Sequence, residues 1–189
     1  MVDTVRTIAE IQALLADNTT GAISAQDVRD MLVSLDDTGW GSYADTVYTE
    51  ASPFSVAEAT DTVVPNNAGT KIETHKPRDV ATFYNGATIT GRNGDGIIVS
   101  VVLKAKPTSV AAQSMDFWFD IGDGIGRIFP HIEGFPKGNG IERPINFSIS
   151  GYTLDTWESN GATLYVSADG PIEIYDISYV ITRTHRGSR

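Results

Sequence analysis

The densest cluster of chemistry-bearing residues in the chain is Asp116-Phe-Trp-Phe-Asp120-Ile-Gly-Asp123-Gly124. Alternation along a strand puts Asp116 and Asp120 on one face, opposite Phe117, Phe119 and Ile121. Two carboxylates on one face can bind calcium or act as an acid–base pair on a glycosidic bond. Read as two pleats apart, they stand about 6–7 Å from each other at the backbone, which leaves glycan cleavage open. The spacing does not match the calcium-loop pattern, however, and Asp123-Gly124 is ordinary turn chemistry. A solvent-facing strand side followed by a turn is the expected reading.

The other reactive types are scattered. His75, His131 and His185 form no HxH or HxxxH pair, so a zinc site is not expected. His131 reads as a surface or interface histidine on the strand face that carries Arg127, Phe129 and Glu133. The chain has no cysteine, which removes thiol nucleophiles, disulfides and cysteine-based metal sites together. It contains no GxSxG elbow and no HExxH. The glycines of Gly91-Arg-Asn-Gly-Asp-Gly96 resemble a phosphate loop in composition, but they are expected to join two strands as a hairpin turn, where no helix dipole is available. No catalytic residue, cofactor or metal is therefore expected, and the chain reads as a non-enzyme. Among the aromatics, Trp157 flanks a turn-rich region with Asn160, so these two, with the loop at residues 136–140, are the candidate glycan contacts. Packing is the commoner use of aromatics at alternating spacing.

Composition narrows the partners. Lys+Arg number 14 and Asp+Glu 24, giving a net charge of −10, which argues against nucleic acid because phosphate neutralisation needs clustered basic residues. A chain of 189 residues, 41% hydrophobic and 20% charged, is long enough to bury a core of its own. The start lacks a basic segment followed by an apolar block, and the apolar run at residues 97–103 is too short to span a bilayer, so no membrane is expected. Arg183, His185, Arg186 and Arg189 concentrate positive charge at the end of the acidic chain, as a tail either paired with a neighbour or solvated.

Two periodicities divide the chain. Val5, Ile8, Ile11, Leu14 and Leu15 recur at three- and four-residue spacing and predict a first helix, closed by Asn18 and Gly21. Ser24 as N-cap, Asp27 in the first turn and the staple pair Ile23/Val28 predict a second, with Val28, Met31, Leu32 and Leu35 as its apolar stripe. After Gly39 the pattern alternates to the end. Strands are expected at residues 42–49, 54–58, 60–64, 87–90, 96–106, 115–121, 127–135, 143–149, 162–168 and 172–183. The run at 96–106 is apolar on both faces, which marks a central strand. Short strands with turn signals at this spacing, and no helix between them, predict a mainly β, antiparallel jelly-roll sandwich preceded by two short N-terminal α-helices. The expected division is a helical docking or trimerisation segment at 1–39 and a β domain at 40–189. Neither helix can bury its stripe alone, so Ile8, Ile11, Leu15, Ile23, Val28, Met31, Leu32 and Leu35 are the candidate interface residues.

The segment Gly21-Ala-Ile-Ser-Ala-Gln-Asp-Val-Arg-Asp-Met-Leu-Val-Ser-Leu35 resembles one that recurs near the N-terminus of tailed-bacteriophage structural proteins. The similarity runs on through Gly39-Trp-Gly41, residues 79–84, 89–96, 135–140 and 181–185, and so covers most of the chain. Those proteins are capsid decoration (cement) proteins, head spikes or tail fibres. The resemblance implies a homotrimer with a jelly roll similar to the tumour-necrosis-factor class, and a non-enzymatic role stabilising the head. The partners would be its own copies and the major capsid protein or another virion protein, on the outer surface of the particle after assembly in the host cytoplasm. The alternative role is a tail-fibre or head-fibre module that recognises host surface glycans.

Overall fold

A computed structural model describes residues 6, 10, 11, 13, 23–35, 38–136 and 140–187, with backbone only at 33–35. Glu10, Ile11 and Ala13 are helical, whereas Ile8, Leu15 and the side chain of Leu35 lie outside the described residues. The second predicted helix is α1 (Ala25–Leu35). Its cap forms as the sequence suggests. The Asp27 amide donates to Ser24 Oγ at 3.2 Å, and the Ser24 amide and hydroxyl donate to Asp27 Oδ2 at 2.8 and 2.7 Å, a reciprocal box that satisfies the first-turn donors.

Ten strands follow: β1 (Gly39–Ala44), β2 (Phe54–Val56), β3 (Thr62–Val63), β4 (Thr70–Ile72), β5 (Gly96–Pro107), β6 (Ser114–Asp120), β7 (Ile128–Gly134), β8 (Arg143–Tyr152), β9 (Thr163–Ala168) and β10 (Ile172–His185). A one-turn helix, α2 (Asp155–Asn160), stands between β8 and β9. The large sheet has the order β4-β1-β10-β5-β8, with β2 also paired to β10, and the small sheet is β3-β9-β6-β7. All named pairings are antiparallel. Without the short strands β2 and β4, the eight remaining strands fall into two sheets with the first beside the last and the second beside the seventh. That order is a double Greek key, the jelly roll.

Alternation builds the core. On β5, Ile97, Val99, Val101, Leu103 and Ala105 are buried, and they face Met115, Phe117 and Phe119 of β6 and Leu164 and Val166 of β9 across the sandwich. β10 adds Ile174, Ile177, Tyr179 and Ile181, keeping its apolar face inward through an irregularity between Tyr175 and Ser178, where Asp176 has φ +52°.

Several sequence expectations change. The strand expected at 42–49 spans Gly39–Ala44 instead, because Asp45 Oδ2 accepts the Val47 and Tyr48 amides at 2.9 and 2.6 Å and turns the chain. Residues 87–90 make bridges rather than a strand, Ile89 pairing with Tyr84 and Ala162. The 91–96 turn therefore leads into β5 from a loop and not from a hairpin partner. Nor is Arg183 part of a solvated tail. It is 1% exposed, donates to both Asp79 oxygens at 2.7 and 3.1 Å, and lies 3.5 Å from Asp95. Arg92 and Arg186 reach the same Asp79 at 3.4 and 3.3 Å. Burial alone would raise the Asp79 pKa. The Arg183 hydrogen bonds and the charges of Arg183, Arg186 and Arg92 outweigh it and hold the carboxyl below its ordinary value.

Candidate functional site

The outward face of the large sheet is built from β4, β1, β10, β5 and β8. Register sets its residues in rows. One row reads Ile72, Ser42, Val180, Ser100, Ser148 from β4 to β8. A second reads Thr70, Ala44, Ser178, Val102, Asn146, and a third Trp40, Thr182, Ile98, Ser150. None of these residues is charged, in a chain of net charge −10. With strands about 4.8 Å apart and rows about 6.7 Å apart, the field covers roughly 400–500 Å². Ile72, Val102 and Trp40 are 47%, 40% and 37% exposed. The Ser100 and Ser148 hydroxyls are bonded to each other at 2.7 Å, so that neutral pair is satisfied within the face.

Charge returns at the next row. Lys104 of β5 lies 3.2 Å from Asp176 and 3.7 Å from Glu142, and its ammonium stands 5.8 Å above the Tyr175 ring. The opposite corner is aromatic: Trp40 stacks on His75 at 4.9 Å, and Tyr152 is largely exposed. The face thus has a neutral centre of small and branched side chains and an ionic border at one end. Depletion of charge at the centre with a polar rim is the pattern of protein–protein interfaces. The residue pattern marks β5 as a central strand apolar on both faces, but it does not reveal that on the outer face Val102 stays exposed and Ile98 half-buried among the described residues.

The N-terminal arm carries the second exposed apolar surface. Asp30 is fully buried and accepts hydrogen bonds from Arg6 Nε at 2.8 Å and Gln26 Nε2 at 2.7 Å, so α1 turns a polar side toward Arg6. Its apolar stripe faces out: Ile23, Val28 and Leu32 are 36%, 41% and 57% exposed, and Met31 is half-buried. Extensive packing of α1 against a strand is absent among the described residues.

The candidate glycan residues separate. Trp157 is not available to a sugar: it is 3% exposed beneath α2, and its Nε1 donates to the Ile89 carbonyl at 3.0 Å. Asn160 is exposed at the end of α2, and Lys137, Gly138 and Asn139 lie outside the described residues. The carboxylate pair is also corrected. Asp116 and Asp120 share a face, but Trp118 stands between them, and four residues of strand span about 13 Å, twice the expected separation and too far for a retaining pair. Asp116 lies 3.8 Å from Arg127, whose guanidinium is 3.8 Å over the Trp118 ring. His131 is stacked on Phe147 at 4.3 Å and 3.0 Å from Glu133, which also binds Arg143 at 2.7 Å. Arg127 turns away from that group to the other side of the sheet. No three His, Asp or Glu side chains converge as a metal site among the described residues, and no described helix is long and apolar enough to cross a membrane.

No protein-family model and no curated protein matches this chain by sequence. Among solved structures, it is similar to the PRD1 vertex protein P5, at 13% identity and TM-score 0.43, over 79% of this chain and 73% of that one. It is also similar to Eiger TNF from S. frugiperda, at 9% identity and TM-score 0.48, over 80% and 96%. A third likeness is to the Tobacco streak virus coat protein, at 10% identity and TM-score 0.35, over 82% and 90%. The jelly-roll topology of this chain rests on its own strand order.

Proposed function

We propose that this chain is a non-enzymatic virion structural protein, a homotrimeric decoration (cement) protein on the outer surface of a phage capsid. The observation that supports self-association is the uncharged face of the large sheet. Copies of net charge −10 repel one another, and a contact surface without charge is where that repulsion costs least. The face is also neutral and mixed in shape, small hydroxyls beside Ile and Val, so it suits a second copy of itself better than a charged partner. A field of roughly 400–500 Å² is about half of what each partner contributes to a standard interface. The edge of β8, which pairs with no second strand among the described residues and carries no charged residue from Ile145 to Tyr152, supplies further area in a head-to-tail ring.

The arm, residues 1–39, docks the trimer at a junction between capsid subunits through Ile23, Val28, Met31 and Leu32, together with Ile8, Ile11, Leu15 and Leu35. Three arms on one body multiply a weak contact by effective concentration. The test is twofold: light scattering of the isolated protein, and the melting temperature of empty capsids with and without it. The reading requires a trimer and a raised capsid melting temperature; a monomer without capsid affinity refutes it. A second reading, a head-fibre or tail-fibre module recognising glycans, draws support from one surface on the small sheet.

A further inference from the structure

The outward face of the small sheet is ordered quite differently from that of the large one. Register pairs Asp120 with Thr163, Trp118 with Tyr165, and Asp116 with Ser167, giving carboxylate–hydroxyl, aromatic–aromatic and carboxylate–hydroxyl in succession. The aromatic pair is stacked at 5.7 Å and 11°. Trp118 is closed between Tyr165 and the Arg127 guanidinium, which leaves Tyr165 as the accessible ring. A hollow opens on each side of the pair. One, of about 170 Å³, is lined by Asp120, Gly122, Asn160, Gly161, Thr163 and Tyr165. The other, of about 250 Å³, is lined by Ser114, Asp116, Arg127, Ser167 and Asp169.

The first hollow is rigidly built. Asp120 Oδ1 accepts the Gly122 amide at 2.7 Å, and Asn160 Nδ2 donates to the Ile121 carbonyl at 2.9 Å. Both side chains are thus pinned to the same two residues of backbone. Their remaining polar atoms, Asp120 Oδ2 and Asn160 Oδ1, and the Thr163 and Tyr165 hydroxyls have no protein hydrogen-bond partner among the described residues. Two fixed acceptors and two hydroxyls around an aromatic ring ask for a ligand that brings hydroxyl donors and a flat apolar patch. These four oxygens, only one of them on a carboxylate, fall short of the six to eight that calcium takes. The Asp120 carboxylate, which has no cationic partner among the described residues, also repels an acidic ligand.

We infer that this face binds a neutral oligosaccharide along β6 and β9, with one sugar in the Asp120–Asn160 hollow, the chain crossing Tyr165, and a further sugar beside Asp116 and Ser167. The two carboxylates lie about 13 Å apart, so a ligand that reaches both must be longer than a disaccharide. The inference names the surface for the glycan reading and is independent of the trimer, because the small sheet's outer face lies on the far side of the sandwich from the uncharged field.

The test uses the whole protein against an immobilised panel of neutral hexose and N-acetylhexosamine oligosaccharides of two to six units, with sialylated and sulfated counterparts. Asp120→Asn preserves the acceptor for Gly122 and changes only the outward atom; Tyr165→Leu preserves apolar packing on Trp118. We expect retention of neutral oligosaccharides of three or more units, weakened at least tenfold by either variant, with unchanged mass in solution and unchanged melting temperature. The inference is overturned if no neutral oligosaccharide is held at about 1 mM, if both variants bind as the parent does, or if only acidic glycans are retained. Light scattering on the same samples reads the trimer separately.

Discussion

Arg183→Met removes the centre of the ionic cluster at the end of the sandwich where β1 begins and β10 ends. The parent arginine is 1% exposed and engages Asp79 through two nitrogens and Asp95 through one. Removing one partner of a buried pair usually costs about 3–5 kcal/mol, because the other charge is left unpaired. Here Asp79 retains Arg92 and Arg186, and Asp95 retains Arg92 at 3.5 Å and the Gly187 amide at 2.8 Å, which places the loss near the lower end, about 3 kcal/mol. For a chain of this size that corresponds to a fall of roughly 6–12 °C in melting temperature at pH 7. The pH dependence follows from Asp79. Its folded pKa lies below its unfolded value, so its contribution is complete above the unfolded pKa and is lost as pH falls through the folded one. The difference between parent and variant, read by calorimetry at pH 7 and again near pH 3, should shrink at the lower pH. A difference under about 1 kcal/mol at pH 7, or one that grows on acidification, would refute this account of the cluster.

Val180→Glu, in the middle row of the uncharged face, should leave the melting temperature of the isolated subunit within about 0.5 kcal/mol of the parent while dissociating the assembly; native mass spectrometry and calorimetry separate the two. Trp157→Ala should destabilise the fold by about 3–5 kcal/mol in urea titration, since a buried indole and its bond to Ile89 are both lost. Gly161→Ala should cost at least 1–3 kcal/mol, because φ 74°, ψ −177° is a glycine region and the new methyl would meet Thr88 Oγ1 at 2.6 Å; an unchanged unfolding midpoint would contradict it.

Local rules made much of the fold readable. The Ser24 N-cap and the alternation of residues 97–105 each involve residues a few positions apart, and both formed as the spacing implied; the return bond from Ser24 to Asp27 lies beyond that reading. What escaped depends on partners distant in sequence. Arg183 looks like part of a basic tail until Asp79 and Asp95, 104 and 88 residues away, are brought to it. Trp157 looks exposed in a polar segment because α2 is a single turn, too short to leave a period in the sequence. The uncharged face is assembled from Ser42, Val180, Ser100 and Ser148, residues of four strands, and charge depletion there has no trace along any one of them. Asn160 was visible as a turn residue, but its companions Asp120 and Tyr165 join it only through the pairing of β6 with β9.

The central claim is that the neutral field on the large sheet is where copies meet, and multi-angle light scattering across a dilution series measures it. The account requires a species three times the 20.3 kDa chain for the parent and a single chain for Val180→Glu. A parent protein that remains one chain at every concentration, or a variant that assembles as the parent does, would contradict it.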